Sequence, residues 1–152
     1  MKLKSLSDAD IANIATSFSI DLIGIFMRDS LPKQIRANSF YIFNLDGLHD
    51  PKPLGTHWVA LRCDNASVIY FDSFGCPPPI EIQQFIGTRF TSFGYNNWQI
   101  QDLASDACGY YCLAFGATCG GTANLESAAN SFINCFGDNT KDNDAILTKF
   151  FN

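Results

Sequence analysis

Two strand-like runs only three residues apart constrain this chain more than any other feature. HWVALRC at 57–63 and SVIYFD at 67–72 are rich in β-branched and aromatic residues, and each has the length of a strand. A gap of 64–66 can join only antiparallel neighbours, because a parallel pair needs a crossover of a dozen or more residues. Asp64-Asn65 within it supplies turn chemistry. The hairpin sets His57 near one end of the first strand and Asp72 beside it at the end of the second.

A further strand is predicted over 39–46 (SFYIFNLD) and a short one over 98–101 (WQIQ). Residues 6–17 open on Ser7 or Asp8 as a cap and place Ile11, Ile14 and Ala15 on one helical face. Pro77, Pro78 and Pro79 end the strand register, and IEIQQFIGTRF reads as a helix begun by proline. A polar loop, LASDA, leads into an apolar helix from Cys108 to Cys119. Residues 125–136 and 143–151 again have helical spacing. The expected fold is α+β, a small mixed or antiparallel sheet flanked by helices. No repeat, low-complexity tract or linker divides the 152 residues, so one domain over 1–152 is expected.

Composition narrows the function. Hydrophobic residues at 47% against charged residues at 16% describe a globular chain. A net charge of −5 argues against a face built to hold nucleic-acid phosphates. No apolar run reaches the roughly 20 residues that span a bilayer. The N-terminus has lysines followed by acidic residues and lacks the apolar stretch of a secretory signal. A soluble, reducing compartment is expected, with the six cysteines as thiols rather than a disulfide framework. There is no C-x-x-C pair, and only His49 and His57 could add imidazoles, which argues against a zinc site. No metal or other cofactor is expected. His49, in a Gly/Asp/Pro loop, reads as solvated.

Three segments together supply what a thiol protease needs: GTHWVAL (55–61), YFDSFG (70–75) and QDLASDACGYYC (101–112). Each is weak alone, since a lone strand histidine is more often packed than catalytic and an aspartate before Ser-Phe-Gly is usually a turn former. In the hairpin, Asp72 can fix the tautomer and orientation of His57 through one ring nitrogen while the other faces a thiol. Cys108 at a helix start gains from the helix N-terminus, which favours a thiolate and offers backbone N–H groups to an oxyanion. Gly109 removes a side chain that would obstruct a substrate carbonyl. Gln99 and Gln101 would share one side of an extended strand, so periodicity leaves both open as oxyanion donors. Cys112, one helical turn after Cys108, reads as a buried thiol, and Asp106 as a charge at the helix N-terminus.

These segments resemble those of the adenovirus-protease and SUMO-protease family of cysteine peptidases. The family order of His, acidic residue and Cys is matched by His57-Trp58, Asp72 and Cys108-Gly109. Its oxyanion glutamine is matched by Gln101, seven residues before the cysteine, which selects Gln101 over Gln99. The resemblance covers about residues 40–120. It implies catalysis by Cys108, His57, Asp72 and Gln101, and a narrow substrate channel walled by Trp58, which the residues alone also allow as core. Family members commonly require glycine beside the cleaved bond.

The small size, GTHWVAL, YFDSFG-x-PPP and ACGYYC are closest in look to viral and mobile-element maturation proteases of the virophage and polinton type. That likeness implies a processing enzyme for capsid precursors, at work in the virion and the infected cell, with a peptide activator among its partners. Activation by DNA is not carried over, given the acidic charge balance. The alternative is a protease that removes ubiquitin or a ubiquitin-like protein from conjugates. A catalytically dead binding module on the same fold would gain nothing by keeping all four residues.

Overall fold

The computed structural model describes residues 3–47 and 57–152. His49 falls outside them. The described elements are α1 (Asp8–Ser17), β1 (Leu22–Met27), β2 (Ser39–Asn44), β3 (Trp58–Cys63), β4 (Ser67–Phe71), α2 (Ile80–Ile86), β5 (Ser92–Tyr95), α3 (Cys108–Thr118), α4 (Leu125–Ile133) and α5 (Asn143–Thr148). Short 3₁₀ turns at Thr140–Asp142 and Lys149–Phe151 flank α5.

The strands form one five-stranded sheet in the order β1-β2-β3-β4-β5. The inner pairs β2–β3 and β3–β4 are antiparallel, and the outer pairs β1–β2 and β4–β5 are parallel, so the sheet is mixed. The predicted hairpin is present. Asp64 Oδ1 accepts the backbone N–H groups of Ala66 (2.8 Å) and Ser67 (2.6 Å), which turns the chain from β3 into β4.

β2 and β3 are buried along their whole length because both faces are covered. Alternate residues enter two apolar clusters. Phe40, Ile42, Trp58 and Ala60 meet α3 and α4 on one face, while Tyr41, Phe43, Val59 and Leu61 meet α2 on the other. On the first face the Phe71 and Phe115 rings stack at 4.8 Å, and the Phe40 ring fills the space that a β-carbon at Gly116 would take. A larger residue at 116 would push α3 off the sheet. Arg62, 4% exposed, points to this same face; it bonds to Asp21 and to the Gly116 carbonyl (2.7 Å) and lies over the Phe40 ring.

Three expectations need correction. β1 was not foreseen: its residues are mostly half-buried and its pairing with β2 carries an irregularity at Leu22/Gly24, so it gives neither clean alternation nor a fully apolar run. The strand expected at 98–101 is absent, and β5 lies earlier, at Ser92–Tyr95. The backbone N–H groups of Ile100 and Gln101 both go to the Ser73 carbonyl, and Asn143 Nδ2 donates to the Ile100 carbonyl at 2.8 Å. Those partners satisfy the segment without a ladder. The helix after the prolines ends at Ile86, where Gly87 takes a positive φ of 62°, rather than running on to Phe90.

Candidate active site

The site forms where the open end of the β3–β4 hairpin meets the start of α3. Asp72 follows directly on β4 and is only 2% exposed. Its Oδ1 accepts from His57 Nε2 at 2.8 Å and from the backbone N–H of Phe74, also at 2.8 Å. The backbone of Asp72 is held as firmly as its side chain. Asn96 Oδ1 accepts the Asp72 N–H (3.0 Å), and Asn96 Nδ2 donates to the Asp72 carbonyl (2.5 Å). Gly75 N–H donates to the same carbonyl at 2.7 Å, closing a turn. That turn requires glycine: φ at Gly75 is +78°, and a β-carbon there would lie 2.8 Å from the Trp98 carbonyl carbon.

His57 precedes β3. Its ring stacks on Phe74, with centroids 4.7 Å apart and planes 20° apart. Phe74 reaches the ring from the turn over 72–75 that follows β4. With Nε2 on Asp72, Nδ1 is left for the second partner, and that partner is the Cys108 side chain. Burial pushes the imidazole pKa down, but hydrogen bonds to Asp72 and Cys108, together with their charges, outweigh it and raise the value to about 9. The imidazole is thus held in its charged form at neutral pH.

Cys108 is the first residue of α3 and only 5% exposed. Its N-cap is Ala107, with no side-chain cap on the helix. The dipole of the helix start therefore reaches the sulfur without a capping side chain between them. All six cysteines are free thiols. Burial raises the pKa of Cys119 to about 12, and burial first, then the charges of Cys108 and Asp72, raise that of Cys112 well above the ordinary range. Cys112 is a fully buried core thiol.

Gln101 is also buried, at 1% exposure. Its Nε2 donates to the Ser105 carbonyl at 2.8 Å, and its Oε1 accepts from the Ser73 hydroxyl at 2.5 Å. A carbonyl can only accept, so the orientation of the amide is determined by chemistry. One Nε2 hydrogen remains unused among the described residues. Gln99 is half-buried and its Nε2 donates to the Gln101 carbonyl at 2.9 Å. With no strand at 98–101, the two glutamines have different environments.

The sequence brings two further candidates to different places. Trp58 is 3% exposed, and its indole N–H donates to the Leu6 carbonyl at 2.8 Å. It packs against the core and also lines an open pocket with Ser7, Asp8 and Asn44. Gly109 faces the same segment: a β-carbon there would meet the Leu6 side chain at 3.0–3.4 Å. The room this glycine leaves is taken up by Leu6.

Phe74, Asn96 and Ser73 were missed by sequence reasoning. Phe74 sits in the turn after β4, beyond the reach of the hairpin register. Asn96 and Ser73 act through loop geometry that leaves no periodic trace.

With this geometry in view, the chain can be set beside known proteins. No family model and no curated protein matches the sequence. Its three-dimensional structure is similar to the crystal structure of the selenomethionine form of ASFV pS273R protease, at a TM-score of 0.51 and 16% identity. The two chains share a fold. The likeness takes in 97% of this chain and 66% of that one, so this chain spans just under two thirds of that protease's length.

Proposed function

We propose that this chain is a cysteine endopeptidase with Cys108 as nucleophile, His57 as general base and acid, Asp72 as the residue that orients His57, and Gln101 as an oxyanion donor. The observation that carries the reading is the placement of one imidazole between a buried carboxylate and a sulfur at a helix start. In the reaction, the Cys108 sulfur attacks the substrate carbonyl carbon, and the carbonyl electrons move onto oxygen. The remaining Gln101 Nε2 hydrogen stabilises that oxyanion. As the C–N bond breaks, His57 gives its Nδ1 proton to the leaving amine, and a thioester with Cys108 remains. His57 then takes a proton from water, which attacks the thioester; the acid product departs and the proton returns to the Cys108–His57 pair. Asp72 holds the ring throughout.

The finer reading is a maturation enzyme for capsid or structural precursors, cleaving near glycine inside the assembling particle. It is supported by the segments GTHWVAL, YFDSFG and ACGYYC and by the likeness of fold to a protease named for ASFV. The glycine preference rests on the family resemblance, with Trp58 as the channel wall it implies. Among the described residues no helix is long and apolar enough to cross a membrane.

The test is incubation of the protein with capsid precursors and, separately, with ubiquitin-like conjugates, followed by mapping of the new N-termini. New termini beside glycine in the precursors, lost in Cys108→Ala, are expected. Cleavage confined to conjugates would move the assignment to a deconjugating protease. No Cys108-dependent cleavage of any protein would remove the peptidase reading.

A further inference from the structure

Asp144 lies on α5, far from the site in sequence, yet it joins the two segments that carry Gln101 and Cys108. Its Oδ2 accepts from the Ser105 hydroxyl at 2.7 Å, and its Oδ1 accepts from the Tyr111 hydroxyl at 2.9 Å. Ser105 sits in the loop between the two site residues. Its carbonyl holds the Gln101 amide (2.8 Å), and its Oγ accepts the N–H of Ala107, the N-cap of α3, at 3.2 Å. Tyr111 is fully buried on α3, one turn after Cys108. Burial, then the charge and hydrogen bond of Asp144, push the Tyr111 pKa well above its ordinary value, so its hydroxyl remains a donor across the working pH range.

A carboxylate suits this position because it accepts on both oxygens, and both partners are hydroxyl donors. The neighbouring contacts run the same way. Asn143 donates to the Ile100 carbonyl, and the Thr140 hydroxyl donates to Asp102 Oδ1 at 3.0 Å. The segment from 140 to 144 thus holds the loop over 100–107 at several points, and Asp144 alone also reaches the helix that bears the cysteine.

We propose that Asp144 is a positioning residue for the oxyanion donor: through Ser105 it sets the carbonyl that aims the Gln101 amide, and through Tyr111 it fixes that carbonyl relative to Cys108. The proposal rests on the cysteine-peptidase reading of the site. It predicts a loss confined to steps that form an oxyanion. Acyl transfer needs the Gln101 donor, whereas alkylation of Cys108 by iodoacetamide forms no oxyanion and does not.

The experiment compares Asp144→Ala, Gln101→Ala and the double variant of the full chain. Each is assayed on a fluorogenic peptide ending in glycyl-glycyl-aminocoumarin and with iodoacetamide. Asp144→Ala is expected to lower kcat by about 10- to 100-fold with KM little changed. Alkylation of Cys108 should stay within about twofold of wild type. In the Gln101→Ala background, Asp144→Ala should cost little more, because its effect passes through the amide already removed. Ser105→Ala cuts the same link from the other side, so it reads the proposal if Asp144→Ala does not fold. Losses that multiply in full with Gln101→Ala, or alkylation that falls as far as kcat, would overturn the positioning role. A wild type that neither cleaves the peptide nor alkylates selectively at Cys108 would overturn the peptidase reading and this proposal with it. A cleaving wild type with multiplicative variants overturns this proposal alone.

Discussion

Phe74 lies flat against His57, ring centroids 4.7 Å apart, while its own backbone N–H shares Asp72 Oδ1 with the imidazole. One residue thereby fixes two degrees of freedom of the histidine. The ring face restrains tilt, and the N–H holds the carboxylate in line. Aromatic pairs contribute about 0.5–1.5 kcal/mol beyond area burial, equivalent to roughly 2- to 10-fold in the population of one orientation. Phe74→Ala should lower kcat/KM by about that factor, and Phe74→Tyr should retain most activity. Steady-state kinetics of both variants checks this, and an unchanged Phe74→Ala enzyme would mean the stack does not orient the base.

The His57 pKa of about 9 has two consequences. Turnover needs an imidazolium to protonate the leaving amine, so kcat/KM should fall on the alkaline side with an apparent pKa near 9 that belongs to the coupled Cys108–His57 pair. Asp72→Asn removes a charge that raises the value, so its alkaline limb should move to lower pH. Stability should follow the same group. Its folded value lies above the ordinary 6.5, so its contribution is complete below about 6.5 and is lost as pH rises through about 9. Denaturant titrations across pH 6–10 should show that decline in the wild type and a smaller one in His57→Ala.

Gln101 is oriented by Ser73 on one side and Ser105 on the other. Losing an oxyanion donor typically costs about 100- to 1000-fold in kcat. Gln101→Ala should therefore reduce kcat by that order with a small change in KM. Ser73→Ala frees Oε1 and should cost less, about tenfold, because the amide can still visit its productive orientation. A larger loss in Gln99→Ala than in Gln101→Ala would mean that the wrong glutamine was assigned.

Much of this site is legible in the sequence because it hangs on a hairpin. A short loop dictates antiparallel pairing, and pairing brings His57 to Asp72 without knowledge of anything else. The position of Cys108 was readable for a similar local reason, since Cys-Gly opens an apolar helix. The packing of Trp58 and Gly109 against Leu6 was not legible, because Leu6 lies far back in the chain and no spacing rule links residue 6 to either. β1 and β5 escaped notice because outer strands are half-exposed and their partners are distant. The 98–101 segment misled because alternation of apolar and polar residues was present while its backbone partners, Ser73 and Asn143, were not those of a strand.

Gly75 closes the turn that follows Asp72. Any side chain there meets both an unfavourable φ and the Trp98–Gln99 backbone, which flexes little. Gly75→Ala should cost roughly 1–3 kcal/mol of stability and displace Asp72 from His57. Urea unfolding gives the first number. A chemical-shift titration of His57 gives the second, with the imidazole pKa lowered toward its ordinary value.

The most direct test of the account is the relative alkylation rate of the six thiols, read by isotope-coded iodoacetamide and peptide mass spectrometry near pH 7. Cys76 and Cys135 are the exposed controls, while Cys63, Cys112 and Cys119 are buried. Cys108, though only 5% exposed, should react fastest because its side chain is hydrogen-bonded to the His57 imidazole, and His57→Ala should bring it below both exposed thiols. A Cys108 that reacts no faster than Cys76 and Cys135 in the wild type, or equally fast in His57→Ala, would contradict the assignment of the nucleophile.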